Sequence, residues 1–202
     1  MMPRLALAAA LALATAPVFA ATYTLDPNHT QVVFSWNHFG FSNPSAQFGK
    51  IDGTLEFDQA HPTRATVKVT IPLASVNTNV PDLDQHLQKA DFFDSEKYPD
   101  ATFQSTKVEK SASKDTLKVT GDLTLHGVTK PIVLNVTINK VGEHPMRKSQ
   151  AAGFDAMTTL KRSDFGIKTY VPMVSDEIKI HITSEAIEAK AYAEGMAPKA
   201  KD

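Results

Sequence analysis

The amino-acid sequence predicts an all-β fold, an eight-stranded antiparallel barrel with one short inserted helix. Apolar and polar residues alternate with period two along most of the chain, as expected for strands that have one buried and one exposed face. Several alternating stretches run for ten residues or more, which is long for the strands of a two-sheet sandwich. Closing such strands into a barrel also removes exposed sheet edges. A two-sheet sandwich is the structural alternative.

The first twenty residues have the pattern of a secretory signal peptide. A basic start that ends at Arg4 is followed by an Ala/Leu run over residues 5–16, and Val18-Phe19-Ala20 supplies a small-x-small cleavage pattern. The apolar run is too short for a good membrane span, and an uncleaved N-terminal anchor is the alternative. We expect cleavage after Ala20 and a protein that is exported, soluble and periplasmic.

Composition indicates that the mature chain, residues 21–202, is one domain with a sizeable core. Removing the signal peptide takes away only Arg4 among the charges, which leaves 20 basic residues against 22 acidic ones. Because no basic stripe is present, we expect no nucleic-acid partner and no stable membrane insertion. The absence of cysteine excludes disulfides and thiolate metal sites. Residues 21–189 are assigned to the barrel and residues 190–202 to a flexible polar tail.

Nine strand patterns follow one another along the mature chain. The alternation of apolar and polar residues is interrupted at Gly49-Lys50, which is therefore a candidate β-bulge. His126-Gly127 separates two alternating stretches and is expected to form a hairpin turn. The predicted strands cover residues 22–26, 30–38, 46–58, 64–73, 101–109, 115–126, 128–140, 150–161 and 177–187.

One stretch without alternation predicts a short helix over residues 82–90. Leu83 and Leu87 recur at helical spacing and form a narrow apolar stripe that needs a buried surface to rest on. The adjacent Phe92 and Phe93 cannot both point to one face of a strand, so at least one of them should leave the barrel wall. We interpret this segment as a lid over one end of the barrel. A plug that only completes the core is the alternative.

The apolar strand faces are expected to line the barrel interior. An outer-membrane barrel would turn them outward, but four Tyr and one Trp are too few for two aromatic girdles. Eight strands enclose an interior that is either filled or just wide enough for one ligand. Small inward residues such as Gly121 and Ala156 are interpreted as keeping room open, and a closed core in which they pack against aromatics is the alternative.

A set of short motifs runs in order over almost the whole mature chain: Tyr23-Thr24-Leu25-Asp26, Val32…Phe34…His38, Phe48…Gly53-Thr54-Leu55, Ser75-Val76-Asn77-Thr78, His86-Leu87…Asp91-Phe92-Phe93, Gly121-Asp122-Leu123-Thr124-Leu125-His126-Gly127 and Asp164-Phe165-Gly166-Ile167. Together they resemble the YceI-like family. Two positions depart from its pattern. Leu83-Asp84 stands where Arg-Asp is usual, and Ala46 stands where Gly is common.

The resemblance implies an extended lipocalin-like barrel whose tunnel holds a long polyisoprenoid, quinone or fatty-amide lipid. It implies binding, transport or storage of that lipid, without catalysis and without a cofactor, and it leaves a homodimer open. We expect fifteen residues to line the tunnel: Phe34, Trp36, His38, Phe48, Val67, Val69, Phe92, Phe93, Phe103, Leu123, Leu125, Phe154, Phe165, Ile178 and Ile180.

No catalytic or metal-binding motif accompanies these residues. The seven His show neither H-x-x-x-H nor H-E-x-x-H spacing, and a G-x-S-x-G elbow is missing from the sequence. Two rival functions are an enzyme that acts on isoprenoid or quinone derivatives, with His38 or Asp164 as acid or base, and an interaction module with a filled barrel. Arg162, Ser163 and Asp164 either flank a tunnel mouth or make a turn around a structural arginine.

Overall fold

Eleven strands in the described part of the chain, residues 20–196 of this computed structural model, form one closed antiparallel sheet. The predicted signal peptide lies outside this range except for Ala20, as does the end of the predicted tail. The strands are β1 (Ala21–Leu25), β2 (Gln31–Ser35), β3 (Ser45–Phe48), β4 (Asp52–Phe57), β5 (Thr66–Pro72), β6 (Val76–Asn77), β7 (Asp100–Lys110), β8 (Thr116–Leu125), β9 (Val128–Glu143), β10 (Gln150–Lys161) and β11 (Glu177–Glu188).

These eleven strands occupy eight positions around the barrel, because three barrel strands are interrupted. β1 and β2 share the first position, β3 and β4 the second, and β5 and β6 the third. The five strands from β7 to β11 follow as an antiparallel meander. β11 closes the ring, since Lys179–Thr183 pair with β2 and Ala186–Glu188 pair with β1. The predicted eight-stranded antiparallel barrel is confirmed.

The interruptions bring buried side chains into the barrel where strand alternation stops. Between β3 and β4, Lys50 adopts a φ of +54° and Ile51 is almost fully buried. The irregularity predicted at Gly49-Lys50 is therefore a break in the strand instead of a bulge within it. A 3₁₀ turn over Leu73–Ser75 separates β5 from β6, and the Ser75 hydroxyl donates to the carbonyl oxygen of Gly49 at 2.8 Å. This hydrogen bond ties the two breaks together.

The hairpin turn predicted at His126-Gly127 is confirmed, and it joins β8 to β9. The two residues have φ values of +52° and +73°, the pair of left-handed conformations that a two-residue type I′ turn requires. Glycine is needed at the second position for a further reason, because a Cβ atom there would lie 2.5 Å from the Tyr98 ring. The turn is thus fitted tightly against the segment that precedes β7.

Two helices accompany the barrel in the described residues. Helix α1 spans Pro81–Leu87 and so ends three residues before the predicted helix 82–90. Helix α2 spans Ala189–Met196, in the first part of the segment that was expected to be a flexible tail. Ala, Lys and Glu favour the helix, and the Arg147 guanidinium carbon lies 6.0 Å from the Tyr192 ring centre. Within residues 20–196 no helix is long and apolar enough to cross a membrane.

Candidate functional site

The barrel interior contains two adjoining cavities. One has a volume of about 180 Å³ and the other of about 530 Å³. Four side chains on four different strands line both cavities, so the two spaces are neighbours inside the barrel; they are Val32, Ile71, Leu123 and Ile180. The larger volume falls within the range of ordinary small-molecule sites. The inward alternation of the strands therefore produces an open interior, which we call the tunnel.

The larger cavity lies beside α1 and has an aromatic wall. The rings of Phe34 and Phe48 stack with their centres 5.2 Å apart. Phe93 meets Phe34 edge to face at 6.1 Å, and α1 contributes Leu83 and Leu87. The apolar stripe predicted for the helix thus rests on the tunnel, as it must to be removed from water.

This cavity reaches the protein surface next to the start of α1. Four of its lining residues, His38, Ser45, Val80 and Tyr170, are exposed. Phe92 also lines it and packs between His86, at 5.0 Å, and Tyr170, at 6.4 Å between ring centres. We call the opening bounded by His38, Val80 and Tyr170 the tunnel mouth.

The smaller cavity, which no residue of α1 lines and which we call the deeper cavity, is almost entirely apolar. The Phe57 and Phe154 rings meet edge to face at 5.5 Å along its wall, and the small side chain of Ala156 faces it. Thr30 is the most buried polar residue there, with 3% of its surface exposed. Its hydroxyl oxygen has no hydrogen-bond partner within the described residues. Contacts with an occupant of this cavity are therefore mainly dispersion contacts.

The structure brings fourteen of the fifteen predicted lining residues to the tunnel wall. Both cavities are lined by Leu123 and Ile180. The smaller cavity alone is lined by Val67, Val69, Phe103 and Phe154, and the larger alone by Phe34, Trp36, His38, Phe48, Phe92, Phe93, Leu125 and Ile178.

Phe165 is the exception and does not line either cavity. It ends a 3₁₀ turn over Arg162–Phe165, between β10 and β11, and only 1% of its surface is exposed. Its side chain packs in a core cluster with Phe103 and Leu134, two residues that do line the smaller cavity. The sequence could not place Phe165, because a residue in a turn follows no strand alternation and its burial does not show which side of the wall it reaches.

Gly121 also differs from its expected role, whereas Ala156 does face the tunnel. A Cβ atom on Gly121 would lie 2.3 Å from the Phe103 ring and 2.6 Å from the Gln104 carbonyl oxygen. The space left by the missing side chain is thus filled by Phe103. Gly121 permits close packing between β7 and β8, and it does not hold space open for a ligand.

Arg162 is the most informative residue that strand patterns could not place. It is buried, with 6% of its surface exposed, and it lines the larger cavity. Its guanidinium donates to the carbonyl oxygens of Ser175 at 2.9 Å, Val174 at 2.9 Å and Ile167 at 3.2 Å. Burial lowers the pKa of Arg162, and the charge of Asp176 opposes that shift. Both earlier interpretations hold in part, since this arginine organises a turn and also lies at the tunnel wall.

The loop between β10 and β11 supplies further lining residues that the sequence did not single out. Ile167, Tyr170 and Val174 all face the larger cavity, and Tyr170 has a φ of +63°. No periodic pattern marks them, because the loop is neither helix nor strand over this stretch. The two acid–base candidates are separated by the fold. His38 lies at the tunnel mouth, whereas Asp164 lies on the surface 3.3 Å from Lys130 and lines neither cavity.

A polar cluster lies between β1 and β2, outside the predicted tunnel residues. Asp26 is fully buried and accepts hydrogen bonds from the backbone N–H of Asn28 at 3.0 Å and from Arg147 Nη2 at 2.8 Å. His29 Nδ1 lies 3.1 Å from the same carboxylate. Asp26, His29 and Glu185 offer ligand atoms within 4.8 Å of one another, a grouping that sequence spacing did not reveal. The positive charge of Arg147 at this carboxylate opposes the binding of a cation.

Burial by itself raises the pKa of Asp26. The Asn28 N–H, the His29 ring and the charge of Arg147 together outweigh that effect and hold the pKa below its ordinary value. The carboxylate is therefore kept ionised and joins the β1–β2 connection to the segment between β9 and β10.

Comparisons with known proteins agree with this architecture. A family model described as the YceI-like domain matches residues 23–186. A UPF0312 protein of Pseudomonas syringae pv. tomato is 43% identical over 189 residues, covering 90% of this chain and 97% of the relative. The solved structure of the Campylobacter jejuni YCEI protein is 38% identical with a TM-score of 0.68, covering 75% of this chain and 89% of that chain.

One further solved structure is similar in fold alone. A polyisoprenoid binding domain from Saccharophagus degradans, implicated in plant cell wall breakdown, is 15% identical and has a TM-score of 0.66. The similarity covers 85% of this chain and 99% of that chain.

Proposed function

This chain belongs to the YceI-like domain family, and from that premise we propose that it binds a long-chain isoprenoid or related amphiphilic lipid inside its tunnel. We further propose that it transports or stores this lipid in the periplasm, after export directed by the predicted signal peptide. The lipid is the ligand of a binding protein, and no chemical step is assigned to the tunnel residues.

The observation that carries this proposal is the open, apolar interior of the barrel. Two adjoining cavities are lined by aliphatic and aromatic side chains from nearly every barrel strand, and the larger one reaches the surface at the tunnel mouth. A protein interior is normally packed as closely as an organic crystal, so an apolar space of this size is unusual and offers room for a chain-like ligand. The polyisoprenoid-binding domain with the same fold is consistent with a chain-like apolar ligand.

The energetics favour a long chain over a compact ligand. Each buried methylene contributes roughly 0.8 kcal/mol, so a five-carbon prenyl unit contributes about 4 kcal/mol. Several such units would bind tightly with hardly any polar contact. The almost wholly apolar deeper cavity suits the chain, while the polar groups of the larger cavity suit the opposite end of the lipid.

Native mass spectrometry of the purified protein tests the proposal. We expect a mass excess over the denatured protein that equals one lipid. The Ala156→Phe variant should lose this excess, because Ala156 faces the smaller cavity and a ring there fills it. Met157→Phe is the matched control, since the neighbouring side chain points outward and is 60% exposed; it should retain the lipid.

A parent protein without a bound mass, and without uptake of a polyprenol offered in detergent, would contradict the proposal. Turnover of an isoprenoid or quinone substrate would favour the enzymatic alternative instead.

A further inference from the structure

Arg162 places a full positive charge at the wall of the larger, mostly apolar cavity. Only 6% of its surface is exposed, and a buried guanidinium is costly unless its donors and its charge are matched. Arginine stays protonated in proteins, so the charge is present at any pH of interest.

The hydrogen bonds of Arg162 are incomplete. A guanidinium carries five N–H donors. Three of them donate to the carbonyl oxygens of Ile167, Val174 and Ser175. Two N–H groups remain without a partner in the described residues. The three carbonyls belong to one loop, so they hold the side chain in a fixed position at the cavity wall.

The positive charge of Arg162 also lacks a paired carboxylate among the described residues. No described carboxylate oxygen lies within 4.0 Å of its guanidinium. The nearest acidic influence is Asp176, whose carboxylate is already bound by the Ser163 backbone N–H at 2.9 Å and hydroxyl at 2.7 Å. None of the described residues that line the larger cavity is acidic, and its other titratable groups are His38, His86 and Tyr170.

We infer that Arg162 is the head-group site of the tunnel and that it recognises the carboxylate of an acidic, long-chain amphiphile. The inference rests on the proposed function, because the chain of the ligand must occupy the tunnel. Two unpartnered N–H donors match the two oxygens of a carboxylate, and guanidinium–carboxylate pairs are strong and directional. One negative charge balances one guanidinium, whereas a phosphate would bring a second charge that no fixed cation of the wall matches.

Probes of equal chain length test the inference. At pH 8 we expect the parent protein to bind palmitate at least tenfold more tightly than hexadecanol, measured by displacement of a fluorescent fatty probe. In Arg162→Met this preference should disappear, because palmitate loses much more affinity than hexadecanol when the guanidinium is removed. Lys161→Met removes a charge from the adjacent, exposed residue and should keep the preference.

A second measurement uses the parent protein alone, because replacement of Arg162 removes three hydrogen bonds that order its loop. The carboxyl of bound, carboxyl-labelled palmitate is titrated by ¹³C NMR. An adjacent guanidinium should hold its pKa below the ordinary carboxyl value of about 4.3. An apolar wall without a cation would raise it instead.

The possible outcomes separate the two proposals. Equal affinity for palmitate and hexadecanol, or a raised carboxyl pKa, would overturn the head-group site and leave lipid binding intact. Tighter binding of hexadecyl phosphate than of palmitate would overturn the carboxylate assignment. If no probe binds at all, the proposed function fails and the head-group site fails with it.

Discussion

At the scale of single residues, Asp26 shows how one buried carboxylate can connect distant parts of the barrel. Its partners Asn28 and His29 lie in the turn between β1 and β2, while Arg147 lies between β9 and β10. Because the charged form receives all of these interactions, the stability of the fold should depend on its ionisation.

We therefore predict that Asp26 contributes to acid sensitivity. The pKa of Asp26 is lower in the folded protein than in the unfolded chain, where it is about 3.9. The contribution of Asp26 to the free energy of unfolding is therefore complete above the unfolded pKa, and it is lost as the pH falls through the folded pKa. Asp26→Asn should cost about 2 kcal/mol at pH 7, since an uncompensated Arg147 remains. In urea unfolding from pH 7 to pH 2, the gap between parent and variant should narrow only below about pH 4. The exposed Asp52→Asn serves as control; a gap that is constant across this range would contradict the assignment.

Thr30 offers a prediction of opposite sign. Its hydroxyl is buried at the deeper cavity and unpartnered among the described residues, so it is desolvated without compensation. We predict that Thr30→Val raises the free energy of unfolding by about 1 kcal/mol, because the replacement keeps the shape and removes the unpaired group. Thr159→Val, at an exposed position of β10, should change stability by less than about 0.5 kcal/mol. A destabilised Thr30→Val would show that the hydroxyl has a partner in solution.

Most tunnel residues could be predicted from the sequence because they follow strand alternation. Phe34, Leu123 and Ile180 reach the tunnel because successive residues of a strand point to opposite faces and these three stand at inward positions. Gly121 has inward parity too, but the Phe103 ring occupies its space, and no pattern within a single strand reports the volume of a neighbour. Arg162 reaches the wall through loop geometry, which only the folded chain defines.

At the scale of elements, the contacts of Phe92 and Phe93 bear on whether the segment after α1 acts as a lid or as a plug. Phe93 packs against Phe34 and Phe48 in the main core cluster, as a plug would. Phe92 packs against the same cluster and also contacts His86 and Tyr170 beside the tunnel mouth, as a lid would. Both rings thus pack against the core, and Phe92 in addition meets residues at the opening.

We predict different consequences for the two rings. Phe92→Ala should speed exchange of a fluorescent polyprenol several-fold and cost less than about 1 kcal/mol, because a partly exposed ring leaves no closed cavity. Phe93→Ala should cost about 3 kcal/mol, as for other large-to-small core changes, without faster exchange from the folded state. Stopped-flow exchange and a denaturation curve on the same samples make the comparison. Unchanged exchange in Phe92→Ala would refute the lid.

The elements themselves were predictable to different degrees. The five strands from β7 to β11 agree with the predicted ranges to within a few residues, because their alternation is long, with one register shift between β7 and β8 and one between β9 and β10. The break between β5 and β6 was missed, since a 3₁₀ turn that buries Leu73 continues the apolar pattern of the strand before it. Helix α2 was missed because its sequence is polar, and its contact with Arg147 lies far away in the chain.

At the scale of the whole molecule, part of the barrel interior is open cavity instead of closely packed core. Closure was predictable from the number and length of the strands, whereas an open interior was not, because it depends on how all inward side chains share one volume. A bound chain restores the dispersion contacts that an empty tunnel lacks. The stability of this protein should therefore depend on its ligand.

We predict that thermal stability rises with the chain length of the ligand and then levels off. A ligand that binds only the folded state stabilises it by RT ln(1 + [L]/Kd), and each added methylene contributes roughly 0.8 kcal/mol while it enters the tunnel. In a series of linear alcohols at one free concentration, the thermal midpoint should climb steadily and stop climbing once the deeper cavity is filled. Beyond that length, further methylenes extend through the tunnel mouth into water and add nothing.

The position of this plateau measures the usable length of the tunnel. Ala156→Phe blocks the deeper cavity, so its plateau should occur at a shorter chain, while the outward Met157→Phe should match the parent. Differential scanning calorimetry on the three proteins gives the comparison. A midpoint independent of chain length would mean that the alcohols do not lie along the tunnel. A plateau unmoved by Ala156→Phe would mean that the chain does not extend from the larger cavity into the smaller one.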